Sequence, residues 1–419
     1  MSPNHFIPAL LSLVFVSLCY ADDFKVADAP KSITSIMSSD IIKLGAQIIG
    51  DSADYVRGED HTLLDKVNNR LIVFGMNHRI FSIDLTTGKT YLLAQTPVMP
   101  GGAQFDPQDP SKILFCGTKE EGRPYPAGIK TGVYQLDMSV YPAQVKLLLG
   151  KVFVDRVPKG NDGIAYSIDR SPRMTLSSLS ETNPQARDFG ICDDVAVSAD
   201  GQRIYIAEPY STAGGGFGDE KSAKVNQREI LMASQNGKLW MFDRKNEVVH
   251  LMGTRFAFVD GIAIENLNPN QQEESILVTE LARYKLHRFN LKDGGFETLF
   301  ENMPGMPNSM AIDENGYVYM ALNKMRTGLF NFLINSNSLI KEIILAVPSS
   351  LKPIPKETGF LIFKPVGKKL VPAYYTVHDG SKMMSVISLT PNLATQEIYL
   401  SIFDPSYKGV YKIPMPKLF

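Results

Sequence analysis

From Gly58 onward the chain is a succession of short β-rich runs separated by turn residues. No other feature of its 419 residues restricts the fold as much. Runs such as RLIVFGM, RIFSIDLTTGKTYLLA, KLWMFDRKNEVVHLMG, SILVTE, YVYMALN and GLFNFLI carry β-branched and aromatic residues, with little sustained helical periodicity. Thr-Gly, Asp-Gly and Asn-Gly pairs between them supply hairpin chemistry. The units recur. AVSADGQRIYIAE and MAIDENGYVYMAL share one phrase, loosely copied in AQFDPQDPSKILFC, while HRIFSIDL, GKLWMFDR and YKLHRFNL share another. About four strands repeating every ~40–60 residues form the blades of a propeller. The expected fold is therefore all-β, a six-bladed β-propeller over 58–419, with insertions at Lys119–Arg187 and Pro209–Arg228. Residues 22–57 form an N-terminal segment ahead of it.

Residues Phe6 to Tyr20 are almost wholly apolar and shorter than the ~20 residues of a comfortable membrane span. The run ends at Cys19-Tyr20-Ala21 with Asp22-Asp23 following, so residues 1–21 read as a signal peptide cleaved after Ala21. The expected location is secreted or periplasmic. The alternative is a protein anchored at a membrane by an uncleaved leader, since the start of the chain lacks Lys and Arg. Lys and Arg (43) almost balance Asp and Glu (44), which gives no electrostatic reason to bind nucleic acid or an anionic membrane surface. Cleavage would leave Cys116 and Cys192, in ILFCGT and ICDDVAV. Two small buried strand residues is the simpler reading, and pairing is open in an oxidising compartment.

The six histidines show no HxxxH or HExxH spacing, and neither CxxC nor GxSxG occurs. Zinc chemistry and an ordinary serine hydrolase are therefore unsupported. The glycine-rich stretch Ala213–Gly218 lacks the spacing of a phosphate loop and reads as a loop over a propeller face. The informative polar residues stand where repeated strands begin: Glu59-Asp60, Asp193-Asp194, Asp260 and Asn308-Ser309. Acidic residues and Asn are common in turns for turn chemistry alone. Here they recur at one phase of four blades. The first strand of every blade lines the channel, so these oxygens converge on the axis, a donor set that suits Ca²⁺.

These residues also carry a resemblance. RDFGICDDVAVSADGQRIYIAE, GKLWMFD, FVDGIAI, TELARYKLHRF and NMPGMPNSM, read in order, resemble the strictosidine synthase-like family, which includes adipocyte plasma membrane-associated protein and is related to paraoxonases and gluconolactonase-like propellers. The likeness is clear from Asp188 to Asn323 and weaker on either side. It implies a six-bladed propeller with calcium in the channel. On the family pattern, Glu59, Asp193, Asp260, Asn308 and Ser309 take the ligand places of the channel ion. Asp60 and Asp194 take those of a second, structural ion. Several of these positions exchange amide for carboxylate. The family's histidine phrase in blade two reads Pro100-Gly101-Gly102-Ala103 here, without a histidine. Glu280 and Arg283 read as a structural ion pair, and Glu397 carries little weight.

The leading functional expectation is a secreted, calcium-dependent hydrolase of esters or lactones acting on a small molecule, with Glu59 as ligand and water-orienting residue. A strictosidine synthase-like enzyme condensing an amine with an aldehyde is the second expectation. A non-catalytic propeller that binds a partner is the third.

Overall fold

The repeated phrases fold as antiparallel four-stranded meanders. The structure is a computed structural model that describes residues 25–50, 58–155, 163–268, 273–348, 352 and 355–418. The apolar run Phe6–Tyr20 and its expected cleavage point lie outside the described residues. Blade one comprises Glu59–Asp65, Arg70–Gly75, Arg79–Asp84 and Thr90–Gln95, and blade two Met99–Asp106, Asp109–Thr118, Gly132–Asp137 and Gln144–Leu149. Blade three is built on Val195–Val197, Arg203–Glu208, Gly237–Asp243 and Val248–Phe256; blade four on Val259–Asn268, Glu273–Glu280, Lys285–Asn290 and Phe296–Phe300. Gly305–Ile312, Val318–Met325, Thr358–Val366 and Lys369–His378 form blade five. The expected six-bladed β-propeller is what forms.

Blade six takes only three strands from the end of the chain: Val386–Asn392, Glu397–Ile402 and Val410–Pro414. Its outermost strand is Gln47–Ile49, paired antiparallel with Lys412–Val410. The propeller therefore includes residues from before position 58, where sequence placed its start. Nothing in the short QII run marks it as the closing strand.

Both faces of each blade are buried, because successive strand residues point to opposite neighbours. In blade one, Leu71 and Val73 pack toward blade six, while Ile72 and Phe74 pack toward blade two. The core is accordingly six seams, one at each blade interface. This explains why the second strands read as continuous apolar runs rather than strict alternations. Cys116 and Cys192, for which the unpaired reading was preferred, form a disulfide with Cα atoms 5.1 Å apart. It joins the second strand of blade two to the approach of blade three, in the seam between them.

The insertions depart from expectation in detail. The stretch Lys119–Arg187 contains the two outer strands of blade two. It also holds two short strands, Ile164–Ala165 and Arg173–Thr175, that widen blade three by pairing with Val248–Phe256. Pro209–Arg228 leads into the helix Glu220–Leu231, started by a reciprocal capping box between Asp219 and Ser222. A further insertion, absent from the sequence reading, lies between the second and third strands of blade five. It holds helices Gly328–Asn335 and Ser338–Ala346, capped by Thr327 and Asn337. GLFNFLI, read as a strand, forms the first of them: its N-terminal Thr cap and its local spacing of buried residues override β propensity.

Candidate functional site

Every innermost strand begins with an irregularity or an approach loop at the same end of the channel. The ladder slips between Glu59 and His61, Pro100 and Ala103, Val259 and Ile262, Pro307 and Met310, and Val386 and Ser388. A slip of this kind frees residues from pairing and re-aims their side chains. Blade three reaches the same place differently. Asp193 N–H donates to Ala207 O at 3.1 Å, and Ala207 N–H to Asp194 O at 2.9 Å, so the two aspartates lie just ahead of its first strand. Asp60, Asp193, Asp194, Asp260, Asn308 and Ser309 thereby line one cavity of about 100 Å³. Six of the seven residues singled out from sequence meet there.

Their contacts tie blades three, four and five together. Asp194 Oδ1 accepts from Val195 N–H at 2.9 Å, and its Oδ2 accepts from Ile262 N–H at 3.0 Å and Ser309 Oγ at 3.2 Å. Asn308 Nδ2 donates to Asp260 Oδ2 at 3.0 Å. The Asp193 and Asp260 carboxyls bear on each other, favouring the charged form of Asp193 and the neutral form of Asp260. Burial pushes Asp193 and Asp194 up to about 7, with the Asp193 charge adding to Asp194. Asp60 and Asp260 are raised first by burial and then by the neighbouring carboxylates.

Glu59 stands apart. It is fully buried and is not on the cavity wall; Oε1 accepts from Ile402 N–H of blade six at 3.1 Å, and Oε2 has no partner. Burial holds its carboxyl well above the usual range.

The absence of a histidine in blade two also has a steric reason. A first side-chain carbon on Gly102 would collide with the Asp194 carboxylate and Cα. One on Gly101 would lie 2.8 Å from Asp193 O and 3.3 Å from Asp60 Oδ2. The aspartates fill the space that a side chain there would need.

The other wall of the cavity was not read from sequence. Phe217 of the glycine-rich loop, Asn226 and Ile230 of the inserted helix, Phe258, Leu281, Asn323, Ile387 and Phe403 complete it. Phe217 packs against Phe403 with centroids 5.6 Å apart. The Oδ1 atoms of Asn226 and Asn323 are buried without partners. Asn323 closes the YVYMALN phrase, the one available signal; Asn226 sits in an unrepeated stretch and had none. Glu280 does pair with Arg283 at 3.5 Å and also accepts from Ala257 N–H and meets His287, a structural cluster as expected. Glu397 is held by Lys412 at 2.7 Å in the second strand of blade six, outside the cavity lining.

Among the described residues, no three His, Cys, Asp or Glu side chains stand in an arrangement that holds a metal ion as they are. The chemistry of the donor set nevertheless fits a hard cation. Its ligand atoms are oxygens, and it concentrates carboxyls whose charges oppose one another.

No family model matches the chain. It is 25% identical to adipocyte plasma membrane-associated protein of Danio rerio over 235 residues, 53% of this chain and 51% of that protein. Against strictosidine synthase-like 10 of Arabidopsis thaliana it is 23% identical over 185 residues, 43% and 45% of the two chains. This chain is similar to the adipocyte plasma membrane-associated and strictosidine synthase-like proteins. The resemblance carried by the repeated phrases is thus borne out. The chain spans about half the length of the curated relatives it matches. Among solved structures, a luciferin-regenerating enzyme superposes with a TM-score of 0.51 at 10% identity, covering 87% of this chain and 93% of that one, a likeness of fold.

Proposed function

We propose that this propeller hydrolyses esters or lactones at the channel cavity, with Ca²⁺ as its cation. The observation that carries the reading is the convergence of four aspartates from blades one, three and four on one buried cavity, beside an apolar wall. Asp193, Asp260, Asn308 and Ser309 would hold the cation, with Asp60 and Asp194 as ligands of a second; Glu59 would join the first set only by turning out of the seam with blade six, where Ile402 N–H now holds it. Bound there, Ca²⁺ supplies polarisation of a carbonyl oxygen and stabilisation of its developing negative charge.

The chain's own residues do the rest. The Asp193–Asp260 pair handles the proton: a carboxylate oxygen of the pair, left unligated, accepts it from the attacking water. Asp194, fixed by three donors, positions the approach of blades four and five. Phe217, Phe258 and Phe403 exclude water from the reacting end. A cavity of about 100 Å³ is small beside the roughly 300–1,000 Å³ of ordinary ligand sites, so it takes only the reacting end of a substrate. The Cys116–Cys192 disulfide supports an exported protein.

The test is a panel of lactones and esters run with chelator and with Ca²⁺ restored. Turnover that disappears on chelation and returns with Ca²⁺, and that Asp260→Ala abolishes without changing the circular dichroism, supports the reading. Ester or lactone turnover that survives exhaustive chelation overturns the role of the metal, while turnover of an amine with an aldehyde and of no ester or lactone favours condensation. No turnover on any substrate, with no Ca²⁺ bound, favours a binding module.

A further inference from the structure

Lys324 and Ser385 meet across the seam between blades five and six, at the cavity end of the channel. Lys324 stands near the end of the second strand of blade five, directly after Asn323, which lines the cavity. Ser385 stands directly before the first strand of blade six, two residues ahead of Ile387, which also lines the cavity. Lys324 Nζ lies 2.6 Å from Ser385 Oγ. Ser385 is almost buried and Lys324 is partly exposed, which leaves the pair an approach from solvent. Neither residue belongs to the calcium reading. The phrase KMMSVIS around Ser385 has no GxSxG spacing, so nothing local in the sequence marks the pair.

Two features separate this contact from an ordinary surface hydrogen bond. The first is the surroundings of the amine. Among the described residues Ser385 Oγ is the one hydrogen-bond partner of Nζ, and no carboxylate pairs with it. Asp404 and Glu357 attract its charge from beyond ion-pairing distance; burial outweighs them and holds its pKa below the ordinary lysine value. Lys238, which also touches a serine, is placed differently. Besides Ser211 Oγ at 3.2 Å it donates to Asn236 O at 2.9 Å and pairs with Asp155 at 3.8 Å. The second feature is the backbone. Ser385 has a φ of 58°, in the left-handed region that a serine seldom takes. Its neighbours fix it there: Ser385 O accepts from Phe403 N–H at 2.9 Å, and Val386 N–H donates to Thr358 Oγ1 at 2.8 Å. The equivalent residue of blade four, Phe258, has a φ of 66° and lines the cavity. Blade six puts a hydroxyl at the place where blade four presents a ring.

A neutral amine at hydrogen-bond distance from a hydroxyl is what a serine needs to become a nucleophile, and lysine can fill the place that histidine takes in other sites. We infer that Ser385 and Lys324 are a nucleophile–base pair that takes an acyl group from an ester at the mouth of the cavity. Ser385 Oγ bonds to the carbonyl carbon and its proton passes to Lys324 Nζ. The ester C–O bond then breaks, and the proton goes on to the departing alkoxide. The products are an acyl ester on Ser385 and a free alcohol, and the step needs neither an oxidant nor a cation. The inference does not rest on the calcium reading.

The test is labelling of the protein with an alkyl fluorophosphonate in the presence of chelator, read by peptide mass spectrometry. The probe stands in for the acyl donor: Oγ bonds to phosphorus, fluoride leaves, and the adduct stays on the serine. Ser385 should carry the label, and Ser385→Ala should remove it. Lys324→Arg keeps a cation and a hydrogen-bond donor for Ser385 but cannot accept a proton. It should melt like the wild type and label about 100-fold more slowly, the lower range for losing a general base. An unlabelled Ser385, or a Lys324→Arg chain labelled at the wild-type rate, overturns the inference and makes the contact a strut between blades. Labelling of Ser385 without any chelator-sensitive turnover supports the pair and removes the calcium reading. Chelator-sensitive turnover without a label on Ser385 does the reverse.

Discussion

One cavity has two walls of opposite character. The first is made by the slipped starts of the inner strands and by Asp193-Asp194, where each blade of the repeat delivers its residue at the same phase. The second is made by the Gly-rich loop and the helix Glu220–Leu231, which belong to no repeat. The repeated wall gathers charge that the protein environment opposes. The inserted wall supplies apolar cover and two unpartnered amide oxygens. A propeller of this kind keeps the polar chemistry in the positions that repetition aligns, and varies access through segments that repetition leaves free.

The largest effect should come from disturbing the repeated wall. Gly102→Ala places a carbon against Asp194 and its backbone, overpacking that should cost roughly 1–3 kcal/mol and lower the melting temperature by several degrees. With the Asp194 carboxyl displaced, its hold on Ile262 and Ser309 is lost and the neighbouring Asp193–Asp260 pair is misplaced, so turnover should fall about 100-fold, the lower range for losing proton-transfer help. A normal melting curve and normal turnover would show that blade two does not confine the aspartates.

A second, intermediate effect concerns pH. Asp193 and Asp194 rise on folding from 3.8 to about 7, so the folded state holds their protons more tightly. In chelator, their contribution is fully present below about pH 4 and is lost as pH rises through about 7. His61, lowered by burial from 6.5 to about 4, opposes this trend over part of the same window, favouring the fold as pH rises. The difference between wild type and Asp193→Asn isolates the carboxyl. Denaturation from pH 4 to 8 should show a shallower fall in the variant, and Ca²⁺ should flatten the wild-type slope. Identical slopes would mean that the aspartates are not mutually destabilising.

The smallest effect belongs to the inserted wall. Asn226→Ala removes an amide whose oxygen has no protein partner, so the fold should lose almost nothing. A substrate donor paired with that oxygen is worth about 1 kcal/mol, a shift in KM of about fivefold with kcat little changed. A large drop in kcat instead would move Asn226 into the chemistry and erase the contrast between the walls.

The same contrast explains what the sequence made legible. Asp60, Asp193, Asp194, Asp260, Asn308 and Ser309 were visible because each precedes a phrase that recurs, and recurrence converts linear position into convergence on the axis. Glu59 shares that phase but lies one residue earlier, across the slip from His61. It turns into the seam with blade six rather than onto the cavity wall. Asn226, Ile230 and Phe217 had no repeat to place them. The helices of blade five were misread because GLFNFLI is as apolar as a strand, and only the caps Thr327 and Asn337 distinguish it. The pairing of Cys116 with Cys192 depends on two blades lying side by side, information that neither local phrase contains.

The closing strand Gln47–Ile49 sets an order of events. Its partner Val410–Pro414 lies more than 360 residues later, so the strand has nothing to pair with until nearly all of the chain has been made. The first part of the body to leave the ribosome is therefore the last to be seated. Until then the early strand itself has no partner, which is a hazard for aggregation during synthesis. Loop closure over such a span adds little to the cost compared with a shorter one, since the penalty grows only with the logarithm of length. What the arrangement demands is time: the early segment must be kept unengaged while five blades and most of a sixth assemble behind it.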